Sequence, residues 1–316
     1  MKLARLFWRK TKCQTPHNVE KVNQEIVLDP IVEEVEQLCQ QHNINNAELK
    51  RRLEDLARSQ DIKNYIEKVK EVKPVLIVAN GPSFDINEIP SGRREDFVFC
   101  FMNNSPLSSI FWEIRPEYYT QADPLFFQEK VDKEDIYLTI ERLRKEVSWN
   151  MTFFVPYNHY KEAKAIYSSN PRLQIIPYHD TSFSVNLKKE ERNMMYHLGL
   201  DTPIVQNVLV GAIFCLINSG YKLIELHGVN HSWTSQLVVN ERNEVCLKDD
   251  HFYDKKRAEY KPWYRYTGTI YKMHEILRDL AQMFDSYWVL RDYADSEGVK
   301  IINKTQGSFI DAFERG

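Results

Sequence analysis

The chain has 316 residues, enough for one large domain or for one domain with an extension. Its apolar share of 43% is ordinary for a protein with a real core, and a formal charge of −3 speaks against a dedicated nucleic-acid binder, which carries a basic excess. Five scattered cysteines (Cys13, Cys39, Cys100, Cys215, Cys246) with no CxxC pair suggest neither a disulfide framework nor a zinc site, and fit a reducing cytoplasm.

The start, MKLARLFWRKTK, lacks the sustained apolar run of a secretory signal, and no stretch is long and apolar enough to span a bilayer. Leu3, Leu6, Phe7 and Trp8 among five basic residues suit contact with an anionic membrane surface. Residues 30–71, rich in Glu, Lys, Gln and Leu and free of Gly, predict two or three helices broken near His42–Asn46, able to pack on the main domain or to pair two subunits.

At Pro74 the texture changes. Val75–Ala79 is a β-branched apolar run followed by Asn-Gly-Pro-Ser, a buried strand ending in a tight turn. Similar runs at 97–102, 118–122, 152–156 and 173–177 predict further strands, with helices between several of them, as over 134–146 and 160–168. Residues 205–219 predict an apolar helix stopped at Gly220, and 223–226 a strand. A hairpin is expected over 236–247, a helix over 268–284, short strands at 287–290 and 300–303, and a final helix from 308. The expected architecture is α/β: a Rossmann-like, mainly parallel sheet with helices on both faces over 73–316, preceded by a tail and helical extension over 1–72. Polar residues stand just after the strands (Asn80, Asn103, Asp123, Asn230, Asn303), where open α/β sheets bind ligands.

In the first loop Gly81 lets the backbone turn, Pro82 stiffens it and Ser83 can cap a helix, leaving backbone N–H groups and the Asn80 amide to hold phosphate or ribose oxygens. The loop is neither GxGxxG nor GxxxxGK[ST], so it does not support NAD binding or a P-loop ATPase. Asn103 can read a base or ribose through its paired donor and acceptor, and Asp123 can face a sugar. The segment 228–254 gathers His231, Trp233, Asp249, Asp250, His251, Tyr253 and Asp254. There His251 or His231 is the candidate general base, with Asp249 or Asp250 orienting it, and aromatic surface is at hand to stack a sugar or base. The histidine spacing matches no zinc pattern, and no metal site is expected.

VLIVANGPS, FCFMNNS, the QADP strand end and VGAIFCLINSGYKLIELHGVNHS together resemble the bacterial sialyltransferases of the Campylobacter type. They also resemble the broader Rossmann-like group that includes archaeal hydroxymethylpterin pyrophosphokinases and motility-associated glycosylation factors. The resemblance implies that Asn80 and Asn103 hold a cytidine nucleotide, that Gly211 lies close to it, and that Gly228 with Asn230 begins the acceptor-side loop. It implies inversion of the sugar linkage without a metal. The family's catalytic histidine has no counterpart here, since Trp263-Tyr264-Arg265-Tyr266 occupies its place, and the nucleotide-holding tyrosines have no clear match.

The expected function is therefore a cytoplasmic glycosyltransferase of bacterial surface polysaccharide synthesis, peripheral on the inner membrane if the basic start is used. It takes a CMP- or UDP-sugar as co-substrate, needs no further cofactor, and acts on a glycan or lipid-linked acceptor, with a homo-oligomer open. Two alternatives are a Mg²⁺-dependent pyrophosphokinase on a pterin-like alcohol and a non-catalytic nucleotide-binding assembly protein.

Overall fold

The computed structural model describes residues 29–59, 61–70, 73–85, 91–128, 130–248, 259–265 and 268–316. The basic start and the segment carrying Asp249, Asp250, His251, Tyr253 and Asp254 lie outside the described residues. Contacts divide the chain into two units after Ile62, ten residues before the boundary expected at 72/73. In the first unit, α1 (Pro30–Gln41) begins with Asp29 accepting from the Ile31 N–H, and α2 (Ala47–Ser59) contacts it. Val35, Cys39, Leu49, Leu53 and Leu56 form their buried faces, at the helical spacing read from the sequence. Residues 63–70 belong with the second unit: the Val69 N–H donates to the Ser219 carbonyl and the Ile66 N–H to Asn64.

The second unit is a doubly wound α/β domain. In chain order its elements are β1 (Val75–Val78), β2 (Val98–Met102), α3 (Ser109–Ile114), β3 (Tyr118–Thr120), α4 (Glu134–Lys145), β4 (Met151–Pro156), α5 (Tyr160–Tyr167), β5 (Leu173–Tyr178), α6 (Lys189–His197), α7 (Val208–Asn218), β6 (Leu223–His227), β7 (Leu237–Val239), β8 (Val245–Leu247), β9 (Lys261–Pro262), α8 (Met273–Ser296), β10 (Lys300–Asn303) and β11 (Glu314–Arg315). Eight strands form one parallel sheet in the order β11-β10-β6-β1-β2-β3-β4-β5, and β7-β8-β9 form a small antiparallel sheet.

β1 is central, which explains why VLIV is apolar without alternation: both faces of a central parallel strand are covered. Val75 and Ile77 enter the core beneath α7 and α8, whereas Leu76 and Val78 enter the other core with Phe111, Ile140 and Tyr167. α7 is buried along its whole length, and α8 packs against it.

Two local expectations give way to tertiary packing, and one helix escapes the sequence pattern. Residues 287–290 are not a strand but the third quarter of α8, because Ile276, Leu280, Met283, Tyr287, Leu290 and Ala294 recur at helical spacing and are all buried. Residues 308–313 are not a helix. Ser308, Ile310 and Ala312 are buried at a spacing of two, and the path is pinned by Asn303, which donates to the Ser308 hydroxyl and accepts from the Thr305 N–H, before the chain enters β11. α6 carries only Met195 and Tyr196 as buried residues in a highly charged sequence, too thin a stripe to be predicted. The hairpin over 236–247 forms as expected, as β7 and β8.

Candidate functional site

The winding of the sheet fixes where a ligand can enter. From β1 the chain moves outward through β2, β3, β4 and β5, then returns to place β6 on the other side of β1. The loops leaving β1 and β6 therefore diverge, and a crevice opens at the carboxyl ends of the strands. A cleft of ≈ 110 Å³ occupies that position. It is lined by Asn80, Gly81 and Pro82 after β1, Asn103 after β2, and Gly228, Asn230 and His231 after β6. Seven of the sequence-predicted residues thus meet here, drawn from three strand ends.

Two glycines allow the loops to meet. The Gly81 N–H donates to the Gly228 carbonyl at 2.9 Å. A Cβ on Gly81 would lie 2.2 Å from that same oxygen and 2.2 Å from Asn230 Oδ1. Gly228 has φ +68°, in the left-handed region, and a Cβ there would meet the Ala79 carbonyl at 2.8 Å. Ser83 completes the junction: its hydroxyl donates to Asn230 Oδ1 at 2.8 Å, so Asn230 organises the loop more than it presents itself. Behind it, the Asn230 carbonyl accepts from the Phe309 N–H, and the Val229 N–H donates to Thr305, which anchors the β6 loop to the β10–β11 connection.

Two side chains in the cleft carry unsatisfied acceptors. Asn80 donates from Nδ2 to the Met102 carbonyl at 3.4 Å, yet its Oδ1 is buried without a partner. Asn103 Oδ1 is likewise buried without a partner, on a residue held at φ +46°. That backbone is fixed by its N–H donating to Thr120 and its carbonyl accepting from the Tyr119 hydroxyl. A buried amide oxygen without a donor costs about 1–3 kcal/mol, and two in one cleft favour a ligand that brings N–H or O–H groups. Nucleobase amino groups and ribose hydroxyls are such donors.

Sequence reading missed Asn207. Its side chain caps α7 by accepting from the Leu209 N–H at 2.9 Å, and the positive end of this buried helix opens on the cleft. The signal was available: an Asn directly before an apolar helical run is an N-cap pattern. Gln236 and Trp233 also reach the cleft, from the turn before β7.

Two expectations are corrected by the geometry. Gly211 does not line the cleft; it lies inside α7, where a Cβ would meet Tyr178 Oη at 2.6 Å, so it is a packing glycine that lets α7 approach β5. His231 lines the cleft but is poorly suited as a base. The ring hydrogen-bonds the Val229 backbone as a donor, and with its one N–H used there Nε2 is the acceptor for the Tyr287 hydroxyl at 2.7 Å; the ring sits edge-on to Tyr287 and 4.6 Å from the Trp233 ring. Burial pushes its pKa down to about 3, and the lone pair a base would use is occupied.

Asp123 sits elsewhere. Its carboxylate caps the following turn through the Leu125 N–H at 2.9 Å and borders a second, larger cleft of ≈ 690 Å³. This cleft is a neighbour of the first, with Asn207 and Trp233 in the lining of both. Its far wall is the turn that carries Trp263, Tyr264, Arg265 and Tyr271, stapled to β8 by the Trp263 N–H donating to Val245. The Lys248 N–H donates to the carbonyl of Gln236, a residue of the first cleft. Among the described residues no group of three or more His, Cys, Asp or Glu could hold a metal ion, and no helix is long and apolar enough to cross a membrane.

No family model matches the sequence, and no curated protein matches it. Solved structures similar to it include the MAf glycosyltransferase from Magnetospirillum magneticum AMB-1, at 12% identity and a TM-score of 0.44, covering 80% of this chain. The chain spans only 35% of the length of that enzyme. A mutant of the α-2,3/8-sialyltransferase CstII matches at 15% identity and a TM-score of 0.39, covering 77% of this chain and 86% of that one. The monofunctional α-2,3-sialyltransferase Cst-I from Campylobacter jejuni matches at 13% and 0.42, covering 79% and 82%. Glycosyltransferases, two of them sialyltransferases, thus stand among its structural neighbours.

Proposed function

We propose that this chain is a glycosyltransferase that takes a sugar from a nucleotide-activated donor, CMP- or UDP-linked, and places it on a glycan or lipid-linked acceptor in bacterial surface polysaccharide synthesis. The observation that carries this reading is the switch-point cleft lined by Asn80 and Asn103, whose amide oxygens are buried without a partner and would be satisfied by a ligand rich in donors. Asn80 and Asn103 hold base and ribose, while Gly81, Pro82 and Ser83 admit the phosphate close to the backbone. Gly228 and Asn230 keep the two loops in register, and the α7 N-terminus stabilises charge on the departing phosphate.

In the transfer step an acceptor hydroxyl oxygen attacks the anomeric carbon. The bond from that carbon to the phosphate oxygen breaks, its electron pair leaves with the nucleotide, and the hydroxyl proton passes to a base. With His231 engaged by Tyr287, we assign the base to His251, with Asp249 or Asp250 orienting it. Basic residues near Trp8 hold the enzyme at the inner-membrane surface when the acceptor is lipid-linked.

The test is thermal shift with CMP, UDP, their sugar conjugates and ATP, each with and without Mg²⁺. Stabilisation by a cytidine or uridine nucleotide in the absence of metal is expected. Stabilisation by ATP with Mg²⁺ alone points instead to the pyrophosphokinase, and flat responses to every compound remove nucleotide binding altogether.

A further inference from the structure

The larger cleft lies beside the one assigned to the nucleotide, with Asn207 and Trp233 common to both linings. Its walls differ in chemistry from the first. Four aromatic side chains, Trp233, Trp263, Tyr264 and Tyr271, line it, and Tyr264 is 56% exposed. Trp263 and Tyr271 meet edge to face at 5.8 Å, and the Arg265 guanidinium lies 4.7 Å over the Tyr271 ring while pairing with Glu275 at 2.7 Å. The wall is therefore stiff, with its rings held by one another and by a cation. The same lining carries polar groups of both kinds: the Asp123 and Asp279 carboxylates accept, the Lys133 ammonium donates and the Gln206 amide does both. Flat apolar faces beside hydrogen-bonding groups suit a sugar ring, which has C–H faces and a rim of hydroxyls. The volume of ≈ 690 Å³ lies within the range of sites for ligands larger than one pyranose ring.

We propose that this second cleft is the acceptor site, and that it binds an oligosaccharide of at least two residues by stacking on Tyr264 and Trp263. Because Asn207 and Trp233 line both clefts, the terminal hydroxyl of such an acceptor comes close to the nucleotide cleft, where the anomeric carbon of a donor has to lie. This assignment rests on the transferase reading given above. Tyr264 is the informative residue because its side chain is exposed and the backbone it contributes, a bridge to Ile270, survives substitution.

The experiment uses the full chain, with a panel of neutral and acidic di- to tetrasaccharides titrated by tryptophan fluorescence and by ligand-observed NMR. Nucleotide binding is followed separately by thermal shift with CMP and UDP. At least one saccharide is expected to bind, to weaken tenfold or more in Tyr264→Ala, and to recover in Tyr264→Phe, which restores the ring alone. The nucleotide-induced shift is expected to be the same in all three proteins. If nucleotide still stabilises the chain but no saccharide binds, with or without nucleotide present, the acceptor assignment is wrong and the donor site stands. Saccharide binding that is indifferent to Tyr264→Ala overturns it equally. Saccharide binding in a chain that ignores every nucleotide refutes the acceptor role together with the transferase reading.

Discussion

Adding one methyl group at Gly81 tests the architecture of the site directly. Gly81 does not have a positive φ, so alanine carries no backbone penalty there, and the whole effect is steric. The new Cβ would stand 2.2 Å from the Gly228 carbonyl oxygen and 2.2 Å from Asn230 Oδ1. Asn230 can rotate away only by giving up the Ser83 hydroxyl, and Gly228 O can move only by giving up the Gly81 N–H. Overpacking of this kind costs about 1–3 kcal/mol, and one or two hydrogen bonds add about 1 kcal/mol each. A loss of about 3 kcal/mol lowers the Tm of a domain this size by about 6–12 °C. Gly298→Ala is the control: it has φ +64° but nothing within 4 Å, so it bears only the conformational cost of about 1 kcal/mol. Circular-dichroism melts of both variants, followed by thermal shift with CMP and UDP, read the comparison. Gly81→Ala should melt well below Gly298→Ala and lose its nucleotide response. A Gly81→Ala protein that melts within 1 °C of the parent and still responds to nucleotide would refute the close apposition of the two loops.

Asn103→Gly keeps the positive φ and removes the unpartnered amide, so it should weaken nucleotide binding about tenfold, the equivalent of ~1.4 kcal/mol, with little change in Tm. Unchanged affinity by calorimetry would exclude Asn103 from the donor site. His231, with its pKa pushed down to about 3 by burial, stays neutral in the fold while the unfolded chain takes up a proton below about 6.5. Its contribution is fully present above pH 6.5 and lost as pH falls toward 3, about 2 kcal/mol being gone at pH 5; His231→Gln should flatten the urea-stability profile in that window, and an unaltered slope would contradict it. Tyr287→Phe leaves His231 Nε2 buried without a donor and should cost about 1–3 kcal/mol in the same assay. Asp180 behaves oppositely: burial, and then the charge of Asp201, raise its pKa to about 7, so its neutral form contributes stability below about pH 3.8 that is lost as pH rises through 7. Asp180→Asn should gain on the parent steadily from pH 4 to pH 8, and parallel curves would show that the carboxyl titrates normally. Once a substrate pair is found, His251→Ala should abolish turnover while His231→Gln retains it; the reverse pattern would return the base to His231.

The sheet was legible because a central parallel strand has a distinctive composition. Burial on both faces makes VLIV and FVFCFM continuous apolar runs, and the residue after each run must be polar because it leaves the core. For the same reason the loop residues Asn80, Asn103 and Asn230 could be picked out one strand at a time. The errors fell where burial is one-sided or supplied by distant residues. YWVL at 287–290 has the local preference of a strand and is helical only because Ile276, Leu280 and Met283 extend its stripe onto α7. The SFIDAF segment looks like a helix start, but its path is pinned by Asn303, which donates to the Ser308 hydroxyl and accepts from the Thr305 N–H.

Gly211 and His231 show the same division within the site. A glycine beside a ligand and a glycine beside a tyrosine hydroxyl read identically in a sequence, and a histidine after a strand does not announce that Tyr287, 56 residues away, holds its lone pair. The sequence by itself determined that β1, β2 and β6 exist, that their ends are polar, and that Gly81 and Gly228 mark turns, because burial and backbone sterics act on neighbours along the chain. The tertiary structure alone decided that β6 lies beside β1, since strand order depends on how the chain winds back. That adjacency closes the VLIVANGPS loop onto Asn230 and sets the switch-point cleft beside the aromatic one, with Asn207 and Trp233 lining both.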